Sequence, residues 1–90
     1  MSQHIITADV YAHWGEAHPC YRVYVDNDLL TERNFIWQGH EIYVRENIVV
    51  DLEPGCHELR IEQVGNHGKL QVKNIVVDGL ASDTQFVIDR

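Results

Sequence analysis

No stretch of this chain approaches the roughly 20 consecutive apolar residues that a membrane-spanning helix needs. The opening Met1-Ser2-Gln3-His4 also lacks the basic segment and apolar run of a secretory leader. A cytoplasmic setting, or assembly into a virion, is therefore the expectation. Basic residues are scarce: seven Lys and Arg stand against fourteen Asp and Glu, a formal charge of −7. Such a surface repels phosphate backbones and anionic headgroups, which argues against nucleic-acid and membrane partners. The acids are scattered along the chain, as solubility alone requires. Cysteine is limited to Cys20 and Cys56, so at most one internal bridge can form, and without a leader two reduced thiols are expected.

Reactive motifs are missing as well. The chain holds no Gly-x-Ser-x-Gly elbow, no phosphate-cradling glycine loop and no His-Glu-x-x-His. Its only serines are Ser2 and Ser82. No catalytic residue and no cofactor is assigned, and the expectation is that the chain is not an enzyme. Six histidines raise the question of metal, but zinc needs three or four converging ligands. Only His18-x-Cys20 offers two donors on one strand face, while His13, His40, His57 and His67 are dispersed. No metal site is assigned. Asp26-Asn27-Asp28 lacks the oxygen spacing, mid-loop glycine and distant glutamate of a calcium loop, and reads as a hairpin turn.

What the chain does have is period-two alternation. Around Pro54-Gly55, Ile48, Val50 and Leu52 alternate with Val49, Asp51 and Glu53, and His57, Leu59 and Ile61 alternate with Glu58, Arg60 and Glu62. The pattern predicts an antiparallel hairpin with one buried face, its proline and glycine suited to a type II turn. Ile6, Ala8 and Val10 share a face, with Ile5, Thr7, Asp9 and Tyr11 on the other. Tyr21, Val23 and Val25 form another inward row before the Asp26-Asn27-Asp28 turn. A return strand over 29–37 puts Phe35 and Trp37 on one face, Leu30 and Ile36 on the other, and polar Thr31 to Asn34 suits an edge or a bulge. Residues 41–52 make one long strand or two short ones. After Gly65-Asn66-His67-Gly68, Leu70 and Val72 face inward, and a phase slip at Lys73-Asn74 signals a bulge. Asp78-Gly79 ends that strand, and Gln85 to Ile88 closes the chain.

About seven short strands without a helical run, over 1–90, predict one all-β domain, an antiparallel β-sandwich with no internal repeat. A five- or six-stranded barrel of Sm or OB type is the rival. Large aromatics are concentrated in the first half. Tyr24 and Tyr43 have the parity opposite to their apolar neighbours, and Trp14 sits in a loop. With Trp37, they are the candidate ligand-binding residues, since exposed Trp and Tyr stack on sugar rings or anchor protein interfaces.

Tyr21-Arg-Val-Tyr-Val-Asp-Asn-Asp-Leu-Leu30, Val49-Val-Asp-Leu-Glu-Pro-Gly-Cys-His-Glu-Leu-Arg-Ile61 and Leu70-Gln-Val-Lys-Asn-Ile-Val-Val-Asp-Gly79 resemble the strand-turn-strand phrasing of jelly-roll carbohydrate-binding modules. Together they span 33 of the 90 residues, just over a third of the chain. The resemblance implies a jelly-roll-like sandwich and carbohydrate as a ligand, but no calcium site or aromatic platform of that family matches position by position. Short domains of this type are also similar to accessory and fibre domains of tailed bacteriophages, which implies assembly. The leading expectation is a non-catalytic binding or assembly domain, virion-associated or homo-oligomeric, with a protein partner or a second copy of itself. Carbohydrate binding is the alternative, and a small metal protein or enzyme using His18, Cys20 or His57 a further one.

Overall fold

In the computed structural model, residues 2–36, 42–65 and 68–89 are described. The alternation resolves into β1 (Ser2–His13), β2 (Cys20–Val25), β3 (Asp28–Asn34), β4 (Tyr43–Leu52), β5 (Gly55–Val64), β6 (Lys69–Val77), β7 (Leu80–Ala81) and β8 (Gln85–Ile88). One sheet has the order β4-β1-β6-β7 and the other β3-β2-β5-β8, every pair antiparallel. The two sheets pack as a sandwich, not a barrel. Ile6, Ala8, Val10 and Ala12 of β1 face Tyr21, Val23 and Val25 of β2 and Leu59 of β5 across a shared core closed by Ile48, Ile75, Phe86 and Ile88. Each fully buried Val, Leu, Ile or Phe side chain contributes about 1.5–3 kcal/mol, so the inward rows supply the main driving force.

Two tight turns follow from residue chemistry. Asp26 and Asn27 have φ of 53° and 72°, and Asp78 and Gly79 have 50° and 82°. Positive φ at both central positions is the primed turn that matches strand twist, and Asp, Asn and Gly tolerate it. The phase slip in β6 is a bulge: Thr7 pairs with Val76 but Asp9 with Lys73, and the extra residue, Asn74, has φ 55°. The irregularity in β3 lies one step earlier than its polar segment, at Leu30, because Val23 pairs with Thr31 and Tyr24 with Leu29. β3 is an edge strand, as its polarity suggested, and ends at Asn34. Phe35 beyond it is buried and Ile36 exposed, while Trp37 lies outside the described residues.

Two expectations fail. Pro54-Gly55 does not turn a hairpin, because β4 and β5 belong to different sheets. Alternation reports which face of a strand is buried, and two strands in facing sheets alternate just as two neighbours in one sheet do. β4 instead zips onto β1 from Ser2↔Leu52 to Tyr11↔Tyr43, so Pro54-Gly55 becomes a corner between layers. There is also an internal repeat. Exchanging β1–β4 with β5–β8 maps each sheet order onto the other. Half of the molecule is a folded double hairpin, β1-β2 against β3-β4, and the second half repeats it as β5-β6 against β7-β8. The repeat is one of pairing geometry, which the order of residues along the chain does not display.

On the side bounded by β3 and β4, a polar clasp joins the layers. The inward side of β4 carries Glu46, which is 3% exposed. Tyr21 Oη donates to its Oε1 at 2.5 Å, and Arg33 Nε donates to the same oxygen at 2.6 Å. Burial, and then the Glu46 carboxylate, push the Tyr21 hydroxyl far above the usual phenol range, so it remains a donor. Tyr21→Phe strips a partner from a buried carboxylate and is expected to cost about 1–3 kcal/mol. Glu46→Ala, which orphans both donors, is expected to cost about 3 kcal/mol, and Glu32→Ala on the surface under about 1 kcal/mol. Urea denaturation midpoints check this order.

Candidate functional site

The aromatic residues singled out by parity do not form one site. Tyr43 lies on the outer face of the β4-β1-β6-β7 sheet, and Tyr24 on the outer face of the other. The Arg60 guanidinium covers the Tyr24 ring at 4.4 Å, which removes that ring from easy stacking. Trp14, half-buried, follows β1 and packs against the core, edge-on to His18 at 5.8 Å. Gly68 makes room for it: a Cβ there would lie 2.6 Å from the His13 carbonyl oxygen and 2.9 Å from Trp14 Cβ. Trp14 thus caps one end of the sandwich.

Around Tyr43 the sheet builds a denser arrangement. Strand register aligns Tyr43, Tyr11 and Gln71 in one cross-strand row, Arg45, Asp9 and Lys73 in the next, and sets His13 beside Lys69. The Tyr11 and Tyr43 rings are 5.2 Å apart and tilted by 35°. Lys73 Nζ stands 5.0 Å from the centre of the Tyr11 ring, and the Arg45 guanidinium 6.0 Å from that of Tyr43. Asp9 has the outward parity expected of it, yet is only 2% exposed. Arg45 Nε donates to its Oδ1 at 2.9 Å, and Asn74 Nδ2 to its Oδ2 at 3.0 Å. Chiefly through the Arg45 hydrogen bond, and against the opposing effect of burial, the Asp9 carboxyl is held below the usual carboxylate range. The bulge at Asn74 has a use here, since it turns the amide onto the carboxylate. Asp9, Arg45, Lys73 and Asn74 were not singled out as site residues from sequence, and Tyr11 counted only among the first-half aromatics that are candidates for contact. Tyr11 and Asp9 share a parity, but only the pairing of β1 with β4 and β6 brings the rest beside them.

Two further polar clusters match each other across the repeat. Asp78, in the β6–β7 turn, accepts from Ile5 N at 2.9 Å and meets His4 Nδ1 at 2.5 Å. Asp26, in the β2–β3 turn, accepts from Glu58 N at 2.8 Å and bonds His57 Nδ1. Each turn aspartate clips the adjoining strand at a His-x pair. The remaining ring nitrogens are also engaged, His4 Nε2 with Ser2 Oγ at 2.7 Å and His57 Nε2 with the Glu53 carbonyl at 2.6 Å. Ser2, His4 and Asp78 thus stand in hydrogen-bonded series, with the Ser2 hydroxyl able to donate to His4 Nε2, whereas His57 Nε2 faces a carbonyl oxygen and can only donate. Cys56, next to His57, and Cys20 are both free thiols. They lie at opposite ends of β5, Cys56 within it and Cys20 across from Val64, roughly 26 Å apart by strand rise, too far for a disulfide. Burial, then Glu32, pushes the Cys20 thiol up, which keeps it protonated. Among the described residues no three His, Cys, Asp or Glu side chains gather as metal ligands, and His40 and His67 lie outside those residues. No protein-family model, curated protein or solved structure matches the chain.

His57 gives a pH signature. Its pKa is raised, first by the hydrogen bond to Asp26, with the Glu53 carbonyl adding to it against burial. A raised folded value means stability that is complete below the unfolded value of about 6.5 and lost as pH rises through the folded value. Thermal melts of His57→Gln are expected to start lower than the parent's at acidic pH and to show a smaller fall between acid and mildly alkaline pH. An identical pH dependence in both proteins would show that the clip carries no charge.

Proposed function

We propose that this chain is a non-catalytic binding and assembly domain that pairs with a second copy of itself along β4. The observation that carries the reading is the β4 edge. It runs for ten residues, and among the described residues no strand pairs with its outer side. Such an edge presents a row of unbonded N–H and C=O groups that favour strand addition. Exposed apolar side chains lie on and beside it: Val49 of β4, 58% exposed, Ile42 just before the strand, and Leu30 of β3, which lines a groove with Val49. β3 edges the other layer on the same side, so a two-fold contact here extends both sheets at once.

Charge complementarity selects a register. An antiparallel pairing centred on Ile48 sets Arg45 of one copy opposite Asp51 of its partner, twice by symmetry, and Val44 opposite Leu52. Opposite charges directly across strands stabilise by about 0.2–1 kcal/mol each, and like charges oppose pairing. The similarity to phage accessory and fibre domains is consistent with this reading. Light scattering over a concentration series is expected to give a dimer mass. Asp51→Arg, which places like charges opposite each other, is expected to weaken the dimer by about tenfold or more. A monomer at every concentration, or a dimer indifferent to Asp51→Arg, would contradict the proposal.

A second reading, carbohydrate binding, is favoured by the Tyr11–Tyr43 pair. It offers a broad aromatic surface with two hydroxyls on the outer face of a sheet, at one end of the edge strand.

A further inference from the structure

We infer that the outer face around Tyr11 and Tyr43 is a site for an acidic oligosaccharide, one whose rings carry carboxylates. The inference rests on the carbohydrate reading and names its substrate class. Its basis is the contrast between this face and the rest of the molecule. The chain carries a formal charge of −7, yet three of its seven Lys and Arg residues, Arg45, Lys69 and Lys73, stand on this face around the two rings. The one carboxylate among them, Asp9, is sunk beneath the surface with both oxygens occupied by Arg45 and Asn74. Its charge is answered locally by Arg45, so the two lysines leave the patch positive. Neither lysine has an acidic partner within ion-pair distance among the described residues.

Each part suits one feature of such a ligand. The apolar face of a sugar ring stacks on a tyrosine ring, which is flat and amphipathic. Carboxylates pair with Lys73, Lys69 and the remaining N–H groups of Arg45, and bidentate pairing is open to a guanidinium. Gln71 and His13 supply hydrogen-bonding groups for ring hydroxyls. The arrangement extends over three strands and four residue steps, roughly 10 by 13 Å, room for a short oligosaccharide. It is also pre-formed, since Asp9 fixes Arg45 and the bulge at Asn74 fixes Asp9, so little ordering is needed on binding. A long polyanion such as nucleic acid is disfavoured, because beyond this small patch it meets a surface of its own sign.

The test is calorimetric titration of the whole chain with an oligogalacturonate, its fully methyl-esterified counterpart and a short single-stranded oligonucleotide. The oligogalacturonate is expected to bind with an affinity that falls as salt rises, and the neutral ester about tenfold or more weaker. Lys73→Ala and Tyr43→Ala, both at exposed positions, are expected to weaken oligogalacturonate binding by about tenfold, and Tyr43→Phe, which keeps the stacking ring, by less. Equal binding of acid and ester would overturn the acidic-sugar inference and leave the carbohydrate reading standing. No binding of either sugar would overturn both. Tighter binding of the oligonucleotide, or binding unaffected by Lys73→Ala, would also overturn the inference.

Discussion

Everything on the surface of this molecule depends on two sheets being held face to face, and on one side that alignment passes through a single carboxylate. Glu46 reaches inward from β4 and is gripped by Tyr21 of β2 and Arg33 of β3. Burying a charge is costly unless it is paired and hydrogen-bonded, so the three groups stabilise only as a set. Their position is also specific. They sit where β3 and β4 are the outermost strands of their layers. A clasp there ties the two edges together, which the proposed pairing with a second copy requires.

The internal repeat explains where the remaining polar ties occur. Asp26 and Asp78 occupy the same place in two successive double hairpins, each locking a two-residue turn to the neighbouring strand through a backbone amide and a histidine. The two halves differ in what their edges offer. β4 has ten residues and its counterpart β8 four, while β3 has seven and β7 only two. One side of the sandwich is thus a long strand edge suited to pairing, and the other a short edge with exposed Leu80 and Val87. The proposed binding by the Tyr11–Tyr43 face uses side chains and the proposed pairing by β4 uses chiefly backbone groups, and the two meet at Arg45.

Much of the fold was legible in the sequence because burial in a sheet is written in the parity of neighbouring residues. The inward rows of β1, β2, β5 and β6, the bulge at Asn74 and the turn at Asp26-Asn27 all follow from local chemistry. Pairing is not local, and parity says nothing about it. For that reason Pro54-Gly55 looked like a hairpin, the repeat went unseen, and Tyr43 was separated from Tyr11 by thirty-two positions although they stack in the folded chain. Glu46 was invisible for a related reason. A carboxylate at an inward position breaks the alternation, and only the approach of Tyr21 and Arg33 from the other sheet makes it tolerable. Asp9 shows the converse, an outward residue that becomes buried because its cross-strand neighbours close over it.

In the proposed assembly the interior serves to present an unsatisfied β4 edge to a second copy. Amide hydrogen exchange along β4, followed as protein concentration rises, addresses that claim most directly. The amides of β4 that β1 leaves unbonded should pass from fast exchange in dilute solution to strong protection in concentrated solution, while those of β1 stay protected throughout. If those β4 amides exchange fast at every concentration, the edge is not an interface and the assembly account is wrong.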